Sequence, residues 1–96
     1  MSGAAEPGWQ RLDLWLWCAR FRRGRADCAA LIAGGSVRLN RQPTDKAHAR
    51  LRVGDVLTLA LGEGTGGAVR VVRVRALAAR RGSAEMARLL YEEIAE

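Results

Sequence analysis

Ninety-six residues leave room for one small domain and no separate catalytic module. Hydrophobic residues make up 49% and charged residues 27%, an ordinary folding mixture that excludes an acidic disordered tail or a collagen-like chain. Sixteen basic against ten acidic side chains give a net charge of +6, while one histidine (His48) and two cysteines (Cys18, Cys28) are too few for a convincing metal-ligand set.

Met1 to Trp9 reads as a loose tail punctuated by Pro7-Gly8. Leu12, Trp15, Leu16 and Ala19 then recur at i, i+3, i+4 and i+7, the spacing of one helix face. A first helix is expected there, with Asp13 in its first turn and Arg20 in its last, each complementing the helix dipole. Phe21-Arg22-Arg23-Gly24 interrupts the pattern, and a second helix follows over about Arg25 to Ala33 with Cys28, Leu31 and Ile32 facing inward. Gly34-Gly35 stops it.

The period then changes to two. Ser36–Leu39 reads as a strand, Asn40-Arg41 as a tight turn, Arg41–Pro43 as a return, and Thr44–Arg50 as a basic loop. Val56–Leu61 alternates as a strand should, Gly62–Gly67 is a glycine-rich hairpin loop, and Val69–Leu77 is the clearest strand of the chain. Its apolar phase slips between Val71 and Val72, which predicts a bulge there, with Arg70, Arg73 and Arg75 on the solvent side. Ser83 suits the N-cap of a last helix over Ala84–Ala95, its stripe formed by Met86, Ala87, Leu90, Tyr91 and Ile94. The expectation is an α+β fold: a helix-turn-helix packed on a small sheet, with a C-terminal helix.

The charge is unevenly placed. Residues 1–52 hold ten basic and four acidic side chains, while residues 53–96 hold six of each. A concentrated positive field attracts polyanions, and arginine, which supplies fifteen of the sixteen basic residues, presents a planar fork suited to phosphate. A GC-rich coding sequence accounts for arginine over lysine but not for the asymmetry. The longest apolar runs, Leu14–Ala19 and Cys28–Ala33, are six residues each, far short of a membrane span, and the start lacks the pattern of a signal peptide. A cytoplasmic protein with reduced thiols is expected.

The chemistry concentrates where the two helices meet. Arg20, Arg22, Arg23 and Arg25 fall within six residues, beside the amino end of the second helix, whose unpaired N–H groups favour anions. Gly24 would let a phosphate approach the backbone. Arg11, Arg38, Arg41 and Lys46 extend the surface if the strand after Gly35 folds back beside the helices. Asp13, Asp27 and Asp45 are too few to neutralise so many cations.

These residues carry a resemblance. Arg11-Leu12-Asp13-x-Trp15-Leu16-Trp17-x-Ala19-Arg20-Phe21, Arg25-Ala26, Leu31-Ile32-x-Gly34-Gly35-x-Val37-x-x-Asn40 and Val53-Gly54-Asp55-x-Leu57 resemble the RNA-binding domain named after small-subunit ribosomal protein S-four, over about residues 11–61. The Trp-Leu-Trp core, Arg80-Arg81-Gly82-Ser83 and Leu89-Leu90-Tyr91-Glu92-Glu93 narrow the resemblance to the ribosome-associated heat-shock protein fifteen family. It implies an alpha-L helix pair packed on a small curved, mostly antiparallel sheet, binding of ribosomal RNA on the large subunit, and a role in rescuing stalled subunits. The division implied is a tail over 1–9, an S-four-type domain over 10–77 and a helical segment over 78–96. Carried over by position, the RNA-contacting candidates are Arg11, Arg22, Arg23, Arg25, Arg38, Asn40 and Lys46. The chain departs from the pattern at Gly24, where Thr or Ser is usual, at Asn40-Arg41 in place of Asn-Gly, and at Glu96, where the family continues into a basic extension.

Trp15 and Trp17 lie about 200° apart on a helix, so Trp15 belongs to the core, while Trp17 is expected to pack against the sheet or the last helix, with stacking on a base as the alternative. Five aromatics, none clustered, do not make a base-stacking platform, so recognition should rest on phosphates and RNA shape. No nucleophile–base pair or nucleotide-binding glycine motif is present, and His48 stands alone in a polar loop. No catalytic residue, cofactor, metal or small-molecule substrate is expected. The rivals to structured RNA as partner are duplex DNA, for which the second helix has few polar readers, and an acidic protein.

Overall fold

A computed structural model describes residues 8–62 and 69–94. The expected tail lies largely outside the described residues, as does the glycine-rich loop apart from Gly62. The order of elements is β1 (Gln10–Arg11), α1 (Leu12–Cys18), α2 (Arg25–Ala33), β2 (Val37–Leu39), β3 (Gln42–Pro43), β4 (Arg50–Leu51), β5 (Val56–Ala60), β6 (Val69–Val74), α3 (Ala84–Arg88) and β7 (Tyr91–Glu93). Strands β3-β2-β5-β6-β7 form an antiparallel sheet, and β1 pairs with β4 in a separate two-stranded ladder. The α+β expectation holds.

The first helix starts where the apolar period starts. Its amino end is closed mainly by a loop: the N–H groups of Leu12 and Asp13 donate to the carbonyls of Ala49 and Ala47 at 2.9 and 3.0 Å, while the Leu14 N–H donates to the Asp13 carboxylate at 2.8 Å. It ends sooner than the period implies. Arg20 lies beyond the last turn with φ 66°, so it does not cap the helix dipole from within. The N–H of Phe21 reaches back to the Leu16 carbonyl at 3.1 Å, closing the helix end and turning the Phe21 ring into the core. Burying that ring offsets the roughly 1–2 kcal/mol cost of a left-handed non-glycine residue. The second helix ends the same way with glycine: Gly35 has φ 86°, and the Ser36 N–H donates to the Leu31 carbonyl at 3.3 Å.

The helices pack on one sheet face. Leu12, Trp15, Leu16 and Ile32 meet Val37, Leu57, Leu59, Val72 and Val74 in a single core. Because opposite residues in an antiparallel ladder share a face, Arg38, Thr58, Val71, Val56 and Arg73 lie on the other side. The turn at Asn40-Arg41 has both residues at positive φ (52° and 73°), the geometry that matches hairpin twist.

Three expectations about the second half are corrected. The β5–β6 register runs without interruption from Val56↔Arg73 to Ala60↔Val69, so there is no bulge at Val71-Val72. Arg70 therefore shares the inner face with Val72, and its guanidinium lies 5.1 Å from the Phe21 ring centroid and 5.7 Å from that of Tyr91. The last helix spans only Ala84–Arg88, capped by Ser83, whose hydroxyl accepts from the Met86 N–H at 3.2 Å. Tyr91–Glu93 instead forms β7 on the free edge of β6. Spacings that fit a helical stripe also fit a strand here, and Glu92 pairs with Arg73 (2.7 Å) and Arg75 (3.4 Å) only in the strand.

Candidate nucleic-acid interface

One carboxylate organises the positive surface at the start of α1. Asp13 is buried, at 4% exposure, because its backbone is tied to the Ala47–Ala49 loop. It accepts from Arg11 Nε and Nη2, both at 3.1 Å, and lies 3.5 Å from Arg25 Nε. Both guanidinium groups remain nearly half exposed, at 47% and 45% for their side chains. They are held in direction by one buried anion while part of each fork still faces solvent, which is how a phosphate site is pre-aimed. Two cations on one anion leave the spot net positive.

The same loop carries Lys46 to this end of the molecule, with its side chain 66% exposed and only a 3.9 Å contact to Asp45. The β1–β4 ladder places Arg50 directly across from Arg11, and the Arg50 guanidinium sits 4.5 Å from the Trp9 ring centroid. Arg50 was not among the sequence candidates. Its only sequence signal is position in a basic loop, and the pairing with β1 that brings it here is long-range.

The turn between the helices is more committed than its composition implies. Arg22 donates to the carbonyls of Phe21 (3.1 Å) and Leu61 (3.3 Å) and is half-buried, so it ties the turn to the end of β5. Arg20 Nε donates to the Gly82 carbonyl at 3.0 Å. Arg23 is exposed and has no side-chain hydrogen bond or ion pair among the described residues. The amino end of α2 is also occupied: a Cβ on Gly24 would lie 3.1 Å from Asp27 Oδ2, so the missing side chain makes room for that carboxylate rather than for a phosphate.

The remaining candidates do not join this surface. Strand β2 does fold back beside the helices, but Arg38 alternates with buried Val37 and half-buried Leu39, and so points from the opposite sheet face. Asn40 spends its amide internally, donating to Asp55 Oδ1 at 3.1 Å and accepting from the Val56 N–H at 2.9 Å. Asn40 and Arg41 line a shallow groove of about 310 Å³ on that face with Val56, Thr58, Arg73 and Ile94. Lys46, Arg11, Arg23, Arg25 and Arg20 are thus brought to the helix side, and Arg38, Asn40 and Arg41 are not.

The other polar features are quiet. Cys18 and Cys28 are buried free thiols, and burial pushes both above the ordinary thiol range, Cys28 to about 11. His48 is exposed in its loop. No group of three or more potential metal-ligating side chains occurs among the described residues, and no helix there is long and apolar enough to cross a membrane.

No family model matches the chain. Heat shock protein 15 from Escherichia coli strain K12 is 42% identical over 86 residues, which span 90% of this chain and 61% of that protein. A heat shock protein 15 homolog from Aeromonas salmonicida is 39% identical over 94 residues, or 97% of this chain and 67% of its own. The chain thus spans about three-fifths of the length of the Escherichia coli relative. A trimeric structure of heat shock protein 15 from Vibrio cholerae matches with a TM-score of 0.81 at 31% identity, covering 91% of this chain and 83% of that one. Shared sequence over nearly the whole chain, on the same α+β arrangement, places it in the heat shock protein 15 family.

Proposed function

We propose that the chain is a non-catalytic RNA-binding protein that grips structured, ribosomal RNA with the helix-side surface of Arg11, Arg25, Lys46, Arg50 and Arg23. The observation that carries this reading is the buried Asp13 aiming two half-exposed guanidinium groups in a chain whose positive excess lies in its first half. The S-four-type motif read from the sequence, and relatives named for the heat-shock response, support large-subunit RNA in stressed cells as the target. Against duplex DNA, the exposed positions of α2 are Arg25, Ala26, Asp27, Ala30 and Ala33, and with Arg25 drawn towards Asp13 the rest offer few groups to read base edges.

The test compares wild type with Arg23→Gln/Lys46→Gln/Arg50→Gln. These three positions are chosen because Arg22 braces the turn and removing Arg11 or Arg25 would weaken the pairing of a buried carboxylate. Wild type should bind folded ribosomal RNA with a log–log salt slope of about 0.7–0.9 per phosphate contact. The triple variant should bind more weakly, with a slope lower by about one per lost contact and an unchanged unfolding midpoint. Equal binding of folded RNA and duplex DNA would reduce the reading to bulk charge. Retention of full affinity by the triple variant would displace the surface.

A further inference from the structure

The segment between the sheet and α3 is stitched onto the helix turn by groups that ought to repel it. Arg81 Nε donates to the Trp17 carbonyl at 3.1 Å, and its guanidinium lies 5.4 Å from the Trp17 ring centroid. Trp17 Nε1 in turn donates to the Arg23 carbonyl at 3.2 Å. From the other direction, Arg20 Nε reaches the Gly82 carbonyl at 3.0 Å. The bonds made by Arg81 and Arg20 each cross more than sixty residues of sequence and bring Arg80 and Arg81 against the turn that carries Arg20 and Arg23.

Gathering like charges costs stability unless an anion compensates. Among the described residues, none of Arg20, Arg23, Arg80 and Arg81 forms an ion pair, and the Asp27 carboxylate lies against Gly24. By contrast, Arg70 and Arg73 on β6, and Arg75 just after it, all pair with Glu92 or Glu93. The arginines facing β7 are neutralised, whereas this group has no ion pair among the described residues. Arg81, placed over an indole and fixed by one hydrogen bond, keeps its remaining donors in a set direction, and Arg80 beside it is exposed.

We infer that Arg80 and Arg81, with Arg20 and Arg23, form a second phosphate-binding patch, so that the RNA surface continues off the helix pair onto the chain leading into α3. This rests on the RNA-binding reading above and adds to it a contact made by the second half of the chain. Spanning both patches would demand a folded RNA presenting two backbone stretches rather than a single strand.

The experiment measures binding of a folded ribosomal RNA fragment across salt concentrations, with hydroxyl-radical footprinting, for wild type, Arg80→Gln, and Arg80→Gln/Arg81→Gln. Arg80→Gln removes an exposed side chain with no hydrogen bond among the described residues, so its fold is retained; its salt slope should fall by about one. The double variant should lose about two in slope, and one discrete protected stretch of RNA should become cleavable while the Lys46-side protection persists. Unchanged slope and footprint in Arg80→Gln and the double variant would overturn the second patch and leave the first standing. Wild type failing to bind folded RNA would remove both.

Discussion

Asp13 is the one charged side chain buried among the described residues; it holds two guanidinium groups and also accepts from the Leu14 N–H at 2.8 Å in the first turn of α1. Asp13→Asn keeps the shape but gives up two charge-assisted partners, which should lower stability by about 1.5–3 kcal/mol in urea unfolding. The arginines are half exposed, so they rehydrate rather than remain stranded in the core. The same substitution raises the net positive charge by one, so simple attraction would tighten RNA binding; loss of aim at Arg11 and Arg25 should weaken it instead. Titrating wild type and variant with one RNA at one salt decides between them. At Cys28 the issue is pH. Burial raises this thiol from 9.0 to about 11, so the unfolded chain ionises first as pH rises. Its contribution to stability is therefore complete below pH 9 and is lost as pH climbs towards 11. Urea unfolding over that window should show a decline that flattens in Cys28→Ala.

At the scale of elements, β7 stabilises more than its three residues suggest. Tyr91 meets Trp15 edge-on at 6.3 Å and Phe21 at 5.1 Å, while Glu92 and Glu93 bind the arginines of β6 and the segment after it. The strand thereby closes the core against the helices and covers an edge that would otherwise be open. Tyr91→Ala should cost about 2–3 kcal/mol, because a half-buried ring is removed from an aromatic cluster. Hydrogen exchange locates the damage: the Ile94 N–H, bonded to the Val71 carbonyl at 2.8 Å, should lose protection while the β5–β6 ladder keeps it. Continued protection at Ile94 would mean that the edge strand is held by its ion pairs alone.

At the scale of the whole molecule, the start of α1 and the segment after β6 are bound into one body. Gln10 exchanges hydrogen bonds with Ala78 in both directions, at 2.7 and 3.1 Å, and Trp15 Nε1 donates to the Ala76 carbonyl at 2.9 Å. These contacts seat the segment after β6 beside α1, and that seating is what delivers Arg80 and Arg81 to the helix turn. The positive excess, confined to the first half in sequence, is thus supplemented in space by arginines from the balanced half. The counterweight is on the sheet, where acidic β7 meets the basic strand β6.

The helix pair was legible in the residues alone. Period near 3.6 with Leu12, Trp15, Leu16 and Ala19, and a glycine pair after Ala33, specify both elements through local geometry and burial. The hairpin turn at Asn40-Arg41 and the N-cap at Ser83 were legible for the same reason, since each is a matter of a few adjacent dihedrals and one hydrogen bond. What could not be read was any outcome set by pairing across the chain. Leu90, Tyr91 and Ile94 suit a helix or a strand equally until the edge of β6 and the Phe21 ring choose between them. Arg22, Arg25 and Arg38 are alike as letters in a basic run, but one braces backbone carbonyls, one leans on Asp13 and one faces the far side of the sheet. Residue type alone determined that this chain would carry an anion-seeking surface on a helix-turn-helix. Which arginines remain open to a ligand was decided by the tertiary structure, because hydrogen-bond partners and sheet faces are assigned by contacts between residues distant in sequence.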